Sequence, residues 1–405
     1  MRHRLLPLVA AATAALSACS SSAGVGQVPV PASSANGGPP TTVTEPSRAT
    51  TPGFRVEEVA AGLQHGWDLG FLPDGKILVS QRPGKFVLLS NGAPGAAVTQ
   101  VKADTTDVLV RGEGGLMGLV VHPDFATSRR FTTCQTHTEN GRAADVRLVT
   151  WRLAEDEQIA TRVAELLTGL PVNPSGRHSG CRPVLAPDGA LLVGTGDSAS
   201  NPLIPQSREI LGGKVLRIDL NTGEPAPGNP IPGSRIYTYG HRNVQGVALR
   251  PGTDQIFTAE HGPDKNDEVN LLKAGANYGW DPSKGGANRN RYDESVPMTD
   301  LDRFPDAVPA IWQSGETTEA ICAAEFLSGP QWGTLNGALV ITALKGAKLL
   351  VLTLDEPGNV VSVAIPQELN DRYGRLRAAR RAPDGALYLT TTNGDDDKLL
   401  RVTPT

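Results

Sequence analysis

One short pattern recurs along this chain and restricts its fold more than any other feature: a tight turn followed at once by a short apolar strand. Pro73-Asp74-Gly75 precedes Lys76-Ile77-Leu78-Val79-Ser80, Pro187-Asp188-Gly189 precedes Ala190-Leu191-Leu192-Val193-Gly194, and Pro383-Asp384-Gly385 precedes Ala386-Leu387-Tyr388-Leu389-Thr390. Proline presets φ at the first corner and glycine accepts the left-handed one, so Pro-Asp-Gly is a strong turn signal. Weaker copies stand at His122-Pro123-Asp124, at Pro251-Gly252-Thr253-Asp254-Gln255, and at Asn336-Gly337 before Ala338-Leu339-Val340-Ile341. Six such units, spaced about 45 to 85 residues apart, fit four-stranded blades carrying insertions. The predicted fold is therefore all-β, a six-bladed β-propeller of four-stranded antiparallel blades, forming one domain over residues 54–405. The competing expectation is a pair of β-sandwiches or another blade number. Gly 45 and Pro 32 among 405 residues argue against a mostly helical chain, and 39% hydrophobic content argues against collagen or wholesale disorder.

The first residues read as an address. Met1-Arg2-His3-Arg4 is basic, Leu5 to Leu16 is apolar, and Leu16-Ser17-Ala18-Cys19 ends the run with small residues. That is the layout of a secretory signal over residues 1–18, too short to span a bilayer as a mature helix. Its end resembles a bacterial lipoprotein processing box, in which Cys19 is lipidated and becomes the first mature residue. Ordinary cleavage near Ala18 is the alternative. Residues 20–53 hold 22 Pro, Gly, Ser or Thr among 34, and their only charges are Glu45 and Arg48. Such a stretch buries too little apolar surface to offset its chain entropy. The expectation is a lipidated Cys19 on a flexible tether (residues 19–53) with a reach of roughly 30 Å. The protein would then be exported and membrane-anchored, facing the periplasm or the cell exterior.

Loss of Arg2 and Arg4 with the signal takes the net charge from -4 to -6, which speaks against a general nucleic-acid partner. Beyond Cys19 the chain has Cys134, Cys181 and Cys322. Three thiols allow at most one internal disulfide, and the sequence does not choose the pair.

Four polar clusters interrupt the strand pattern. Arg177-His178-Ser179-Gly180-Cys181-Arg182 is followed after one strand by Gly196-Asp197, so an acid can take the imidazole N–H and fix its tautomer. Tyr239-Gly240-His241-Arg242-Asn243-Val244-Gln245-Gly246 sets a cation and amides on a turn entering a strand, which suits a planar anion. Glu260-His261-Gly262-Pro263-Asp264-Lys265-Asn266-Asp267-Glu268, then Asn277-Tyr278-Gly279-Trp280, is oxygen-rich in the manner of a calcium loop, without EF-hand spacing. The fourth cluster is cationic: Lys345, with Arg375 and Arg377 two apart on one strand face. Each has a plain structural explanation if taken alone, as a structural histidine, an arginine turn lock or solvated charge.

Together the clusters resemble a known family, the aldose sugar dehydrogenases that use pyrroloquinoline quinone, also called the glucose/sorbosone dehydrogenase family. The resemblance spans about residues 54–404. It rests on Trp67-Asp68-Leu69-Gly70-Phe71-Leu72-Pro73-Asp74-Gly75, Gly114-Gly115-Leu116-Met117-Gly118, His122-Pro123-Asp124-Phe125, Gly213-Lys214-Val215-Leu216-Arg217-Ile218-Asp219 and, most specifically, Ile236 to Trp280.

The resemblance implies a six-bladed propeller that oxidises the C1 hydroxyl of an aldose to the lactone. Electrons would go to an external acceptor, a quinone or a cytochrome. His178 stands where the family has its general base, with Asp197 orienting it. Arg242 and Asn243 match the pair at the quinone oxygens. Lys345, Arg375 and Arg377 match cationic ligands of a cofactor with three carboxylates. Gly262 and Pro263 match carbonyls that hold calcium, and Glu268 with Tyr278 matches a second calcium site. Glu113, in Gly112-Glu113-Gly114-Gly115, takes a cofactor-binding position where the family often has Gln. Cys181 replaces a common Gly, Ala378 replaces a common Asp, and Trp312 to Phe326 departs from the usual substrate segment. Two other readings compete: a non-catalytic envelope lipoprotein that binds a ligand or protein partner, and a calcium-dependent lactone hydrolase on a similar propeller.

Overall fold

The computed structural model describes residues 51–283 and 290–405. The expected signal, Cys19 and nearly all of the tether lie outside the described residues. Six four-stranded antiparallel sheets follow one another along the chain. The first comprises Gly66–Phe71, Ile77–Gln81, Lys85–Leu89 and Val98–Val101. The second comprises Leu116–Val121, Arg130–Glu139, Arg142–Leu153 and Ala160–Leu170. The third runs Arg182–Leu185, Ala190–Gly194, Lys214–Asp219 and Ile236–Tyr239, and the fourth Val244–Leu249, Ile256–Glu260, Glu268–Leu271 and Trp312–Gln313. The fifth runs Ile321–Phe326, Leu339–Ala343, Lys348–Leu354 and Val360–Ala364. The sixth is closed by both ends of the chain: Leu376–Arg381, Leu387–Thr391 and Asp397–Pro404 accept Phe54–Leu63 as their outer strand. The first strand of each sheet touches its counterpart in the next, and the last touches the first, so the ring is complete.

All six turn signals fall at one topological place, between the first and second strands of a blade, which is why their number equals the blade number. The apolar residues that follow them pack between neighbouring blades. One cluster joins Leu78, Phe86 and Leu88 of the first blade to Leu119, Phe131 and Trp151 of the second. Another joins Val340 and Val351 of the fifth to Leu387, Leu389 and Leu400 of the sixth. Burying one such side chain is worth roughly 1.5–3 kcal/mol, so each blade is stabilised chiefly by its neighbours.

A charged pin crosses the axis. Buried Asp68 meets Arg182 Nη1 at 2.9 Å and Arg380 Nη2 at 2.6 Å, joining the first, third and sixth blades. Burial raises the Asp68 carboxyl, but the two guanidinium charges outweigh it and hold the group below its usual range. Arg182 also lies over the Trp67 ring, 4.3 Å from its centroid.

Candidate active site at the channel mouth

Antiparallel order sends two kinds of connection to the same face: the links into each first strand and the turns between second and third strands. His178, Glu113, Arg242, Asn243 and Arg375 lie in links, and Arg377 at the start of a first strand. Asp197, Gly262, Pro263 and Lys345 lie in second-to-third turns, and Glu268 begins a third strand. The separated sequence clusters therefore share one face of the ring. Residues 272–283 and 290–311 lie between the third and fourth strands of the fourth blade, the first of them leaving the far end of the third strand. The chain returns to this face through a bridge between Asn277 and Tyr239.

At the centre, His178 Nδ1 and Asp197 Oδ1 are 2.7 Å apart, and both side chains are buried. Asp197 also accepts the Ala199 N–H at 2.9 Å, the Trp280 indole N–H at 2.8 Å and the Tyr292 hydroxyl at 2.7 Å. Burial raises the Asp197 carboxyl, yet the His178 charge and these donors hold it below its usual range. An ionised acid on Nδ1 makes that nitrogen the donor and leaves Nε2 as the base. The turn is tightly built. His178 takes a left-handed φ of 48°, and a Cβ on Gly196 would strike the His178 carbonyl. Just beyond it Cys181 is bonded to Cys134, leaving Cys322 as the free, buried thiol among the described residues. Lys214 clamps the neighbouring loop by donating to the Ile204 and Pro205 carbonyls at 2.8 and 2.9 Å.

Glu113 is a hub under this turn. One oxygen accepts the His178 backbone N–H at 3.2 Å, and the other accepts the amides of Asn243 and Gln245 at 2.8 Å each. Burial raises its carboxyl, but the His178 and His261 charges and these hydrogen bonds bring it below its ordinary value. Asn243 is spent internally as well, since its Oδ1 accepts the Gly180 N–H at 3.1 Å. Both residues shape the floor of the site from within the protein.

The cations beside this floor lack anions. Arg377 is buried, donates to Gln245 Oε1 at 2.8 Å, lies 5.4 Å from the Trp67 centroid, and leaves its Nε without a partner. Arg82 donates to the Gly112 carbonyl at 2.6 Å. Burial, then the Arg377 and Arg375 charges, push the Arg82 guanidinium down, and burial and Arg377 do the same to Arg375. Among the described residues, none of Arg82, Arg375, Arg377 and Lys345 forms an ion pair. Arg242 donates to the His261 carbonyl at 2.6 Å and to Glu294 Oε1 at 2.5 Å.

The calcium candidates divide into two places. Gly262 sits against the Lys265 and Asn266 carbonyls, where any side chain would collide, so this turn folds its carbonyls closely together. Glu268 is buried opposite Glu260 in the strand ladder, and burial together with the Glu260 charge pushes its carboxyl up to about 8. Two buried carboxylates side by side fit a divalent cation, which would remove that penalty. Tyr278 is linked to them by stacking on His241, 4.5 Å between centroids, while His241 Nδ1 lies 2.8 Å from Glu260. The Tyr278 hydroxyl donates to the Leu271 carbonyl, leaving only its main chain for a metal.

The structure thus gathers His178, Asp197, Glu113, Arg242 and Asn243 through direct contacts, joins Arg377 to them through Gln245 and sets Arg375 beside Arg377. Lys345 is exposed on the same face, and Glu268 and Tyr278 stand to one side. Sequence reasoning missed Arg82, Tyr292 and Glu294, and placed Gln245 and His261 in its clusters without giving them a role of their own. Arg82, within Gln81-Arg82-Pro83-Gly84, carried a turn signal but none for binding.

A propeller ring with a locked histidine–aspartate pair and unpaired cations on one face suits a class of enzyme that works on an anionic ligand there. The comparisons agree. The family model for glucose/sorbosone dehydrogenase matches residues 63–401, and the chain belongs to that family. Aldose sugar dehydrogenase YliI of Escherichia coli is 29% identical over 360 residues, covering 86% of this chain and 92% of the relative. Quinoprotein glucose dehydrogenase B of Acinetobacter calcoaceticus is 29% identical over 269 residues, covering 60% and 55%. The solved PQQ-bound aldose sugar dehydrogenase of Streptomyces coelicolor is 30% identical with a TM-score of 0.70, covering 88% of this chain and 100% of its own.

Proposed function

We propose that the protein is an aldose dehydrogenase that binds pyrroloquinoline quinone at the channel mouth and converts the C1 hydroxyl of a sugar to the lactone. The observation that carries this reading is buried Arg377 with half-buried Arg82 and exposed Arg375 beside it, three cations that form no ion pair among the described residues, with Lys345 exposed on the same face. Uncompensated buried charge is costly, and a ligand with several carboxylates would offset it. The quinone, when bound, would supply the two-electron acceptor that no side chain can provide.

The remaining work falls to the chain. His178 Nε2 takes the proton of the anomeric hydroxyl. Asp197 keeps the ring in that tautomer and stabilises it once charged. Trp280 and Tyr292 hold Asp197, and Glu113 holds the backbone of the His178 turn. Arg242 would face the oxygen on which negative charge develops. Calcium would be held at the carbonyl-rich turn of Gly262 and Pro263 and beside Glu268, with the Tyr278 carbonyl, where it would act as a Lewis acid or a structural ion.

Export and lipid anchoring at Cys19 belong to the same proposal. They are supported by the sequence of residues 1–19 and by the Cys134–Cys181 disulfide, a bond suited to an oxidising compartment. An external quinone or cytochrome would then receive the electrons. A C19A variant that leaves the membrane fraction supports the anchor, and one that stays there counts against it.

The decisive experiment titrates cofactor-free protein with calcium and pyrroloquinoline quinone, then assays sugar-dependent dye reduction. Saturable binding, and activity that disappears in H178A, is the expected result. Absence of binding at micromolar cofactor overturns the reading and leaves a non-catalytic propeller.

A further inference from the structure

Glu294 binds one group that the proposed reaction needs free and stands close to the other. Its Oε1 lies 2.5 Å from Arg242 Nη2 and 3.6 Å from His178 Nε2, while its Oε2 accepts Arg177 Nη2 at 2.7 Å. Arg177 is half exposed and makes no other ion pair among the described residues. Glu294 lies on the returning segment, outside any strand, and its side chain is 29% exposed where His178 is 2% exposed. Beside it lies a cavity of about 660 Å³, lined by Glu294 through Met298 on one side and by Pro263, Asp264, Lys265 and Asn266 on the other. Among the described residues Lys265 forms no ion pair. A carboxylate leaving Arg242 therefore has room to move into and a cation lining that space.

We propose that Glu294 is a displaceable internal ligand of the cofactor site, holding Arg242 and crowding the approach to His178 Nε2 until an anionic ligand takes its place. This rests on the functional reading given above. Arg177 is the second point of attachment and sets how readily the carboxylate lets go. Since the open form is only part of the population, apparent affinity falls by the open fraction. One movement would then uncover the base and free the arginine together, so that proton acceptance becomes possible only in the occupied site.

The test is an equilibrium and stopped-flow titration of calcium-loaded, cofactor-free full-length protein with pyrroloquinoline quinone, followed by tryptophan fluorescence. Wild type, E294Q and R177A are compared. E294Q is expected to bind about 10-fold more tightly, and R177A about 3-fold more tightly and faster. The second variant separates the latch from simple charge, because removing a cation near an anion would by itself weaken binding. Unchanged affinity in E294Q, or weaker binding in R177A, overturns the latch while leaving the functional reading intact. Failure of wild type and both variants to bind brings down both.

Discussion

The imidazole Nδ1 of His178 and the Oδ1 of Asp197 are 2.7 Å apart with almost no solvent reaching either. Their contact decides which ring nitrogen can work. In D197N an amide can present its N–H to Nδ1, favouring the tautomer with Nε2 protonated and unable to accept. Turnover is expected to fall about 10²- to 10⁴-fold, with the sugar KM little changed. Steady-state dye reduction measures it, and a fall below about 3-fold would show that another group acts as base.

Arg377 should reveal a conflict between stability and binding. It is buried without an anion and with Nε unpartnered. R377M is expected to stabilise the cofactor-free protein by about 1–2 kcal/mol, and to weaken pyrroloquinoline quinone binding at least ~10-fold. R82A should weaken binding with little thermal change. Differential scanning fluorimetry and cofactor titration read the two effects separately, and a lower melting temperature for cofactor-free R377M would sink the claim of uncompensated charge.

Glu268 gives the calcium-free protein a pH dependence. Its folded value of about 8 lies above the 4.5 of the free side chain. Folding favours the protonated form, so its contribution is complete below pH 4.5 and is lost as pH rises towards 8. The unfolding free energy from urea titrations in the presence of chelator should fall over this window by an amount on the order of a few kcal/mol. E268Q should flatten the curve. Added calcium should restore stability most at the alkaline end, because it needs the ionised carboxylate.

The buried Cys134–Cys181 bond ties the second strand of the second blade to the residue before the third blade, closing a loop of sequence separation 47. The C134S/C181S protein should lose about 2–4 kcal/mol. Alkylation of denatured, unreduced protein followed by mass analysis should label Cys322 and spare the other two. Labelling of Cys134 would disprove the pairing.

Much of the fold was legible because its signals are local. Proline, aspartate and glycine act within four residues, and each marks the same corner of a blade. Ala190–Gly194 matches the expected strand, and the first and last Pro-Asp-Gly strands begin one residue later than their turns imply. The closure of the ring was not legible. Phe54–Leu63 has the same apolar alternation whether it pairs with the following strand or with the end of the chain. At the site, His178 and Asp197 stood out through their glycine-flanked turns and the family resemblance. Tyr292 and Glu294 sit in an irregular stretch without periodicity, and only folding brings them back over His178. Asp68 lay inside a motif that reads as strand, and nothing local told of its two arginines.

The way the ring is fastened orders events in time. Phe54 pairs with Pro404 and Leu63 with Asp397, so the strand made first finds its partner last. Until then the sixth sheet lacks its outer strand, and an incomplete arc leaves an apolar blade face uncovered at each end. The ring therefore closes like a belt, clasped only when its two ends meet in one sheet.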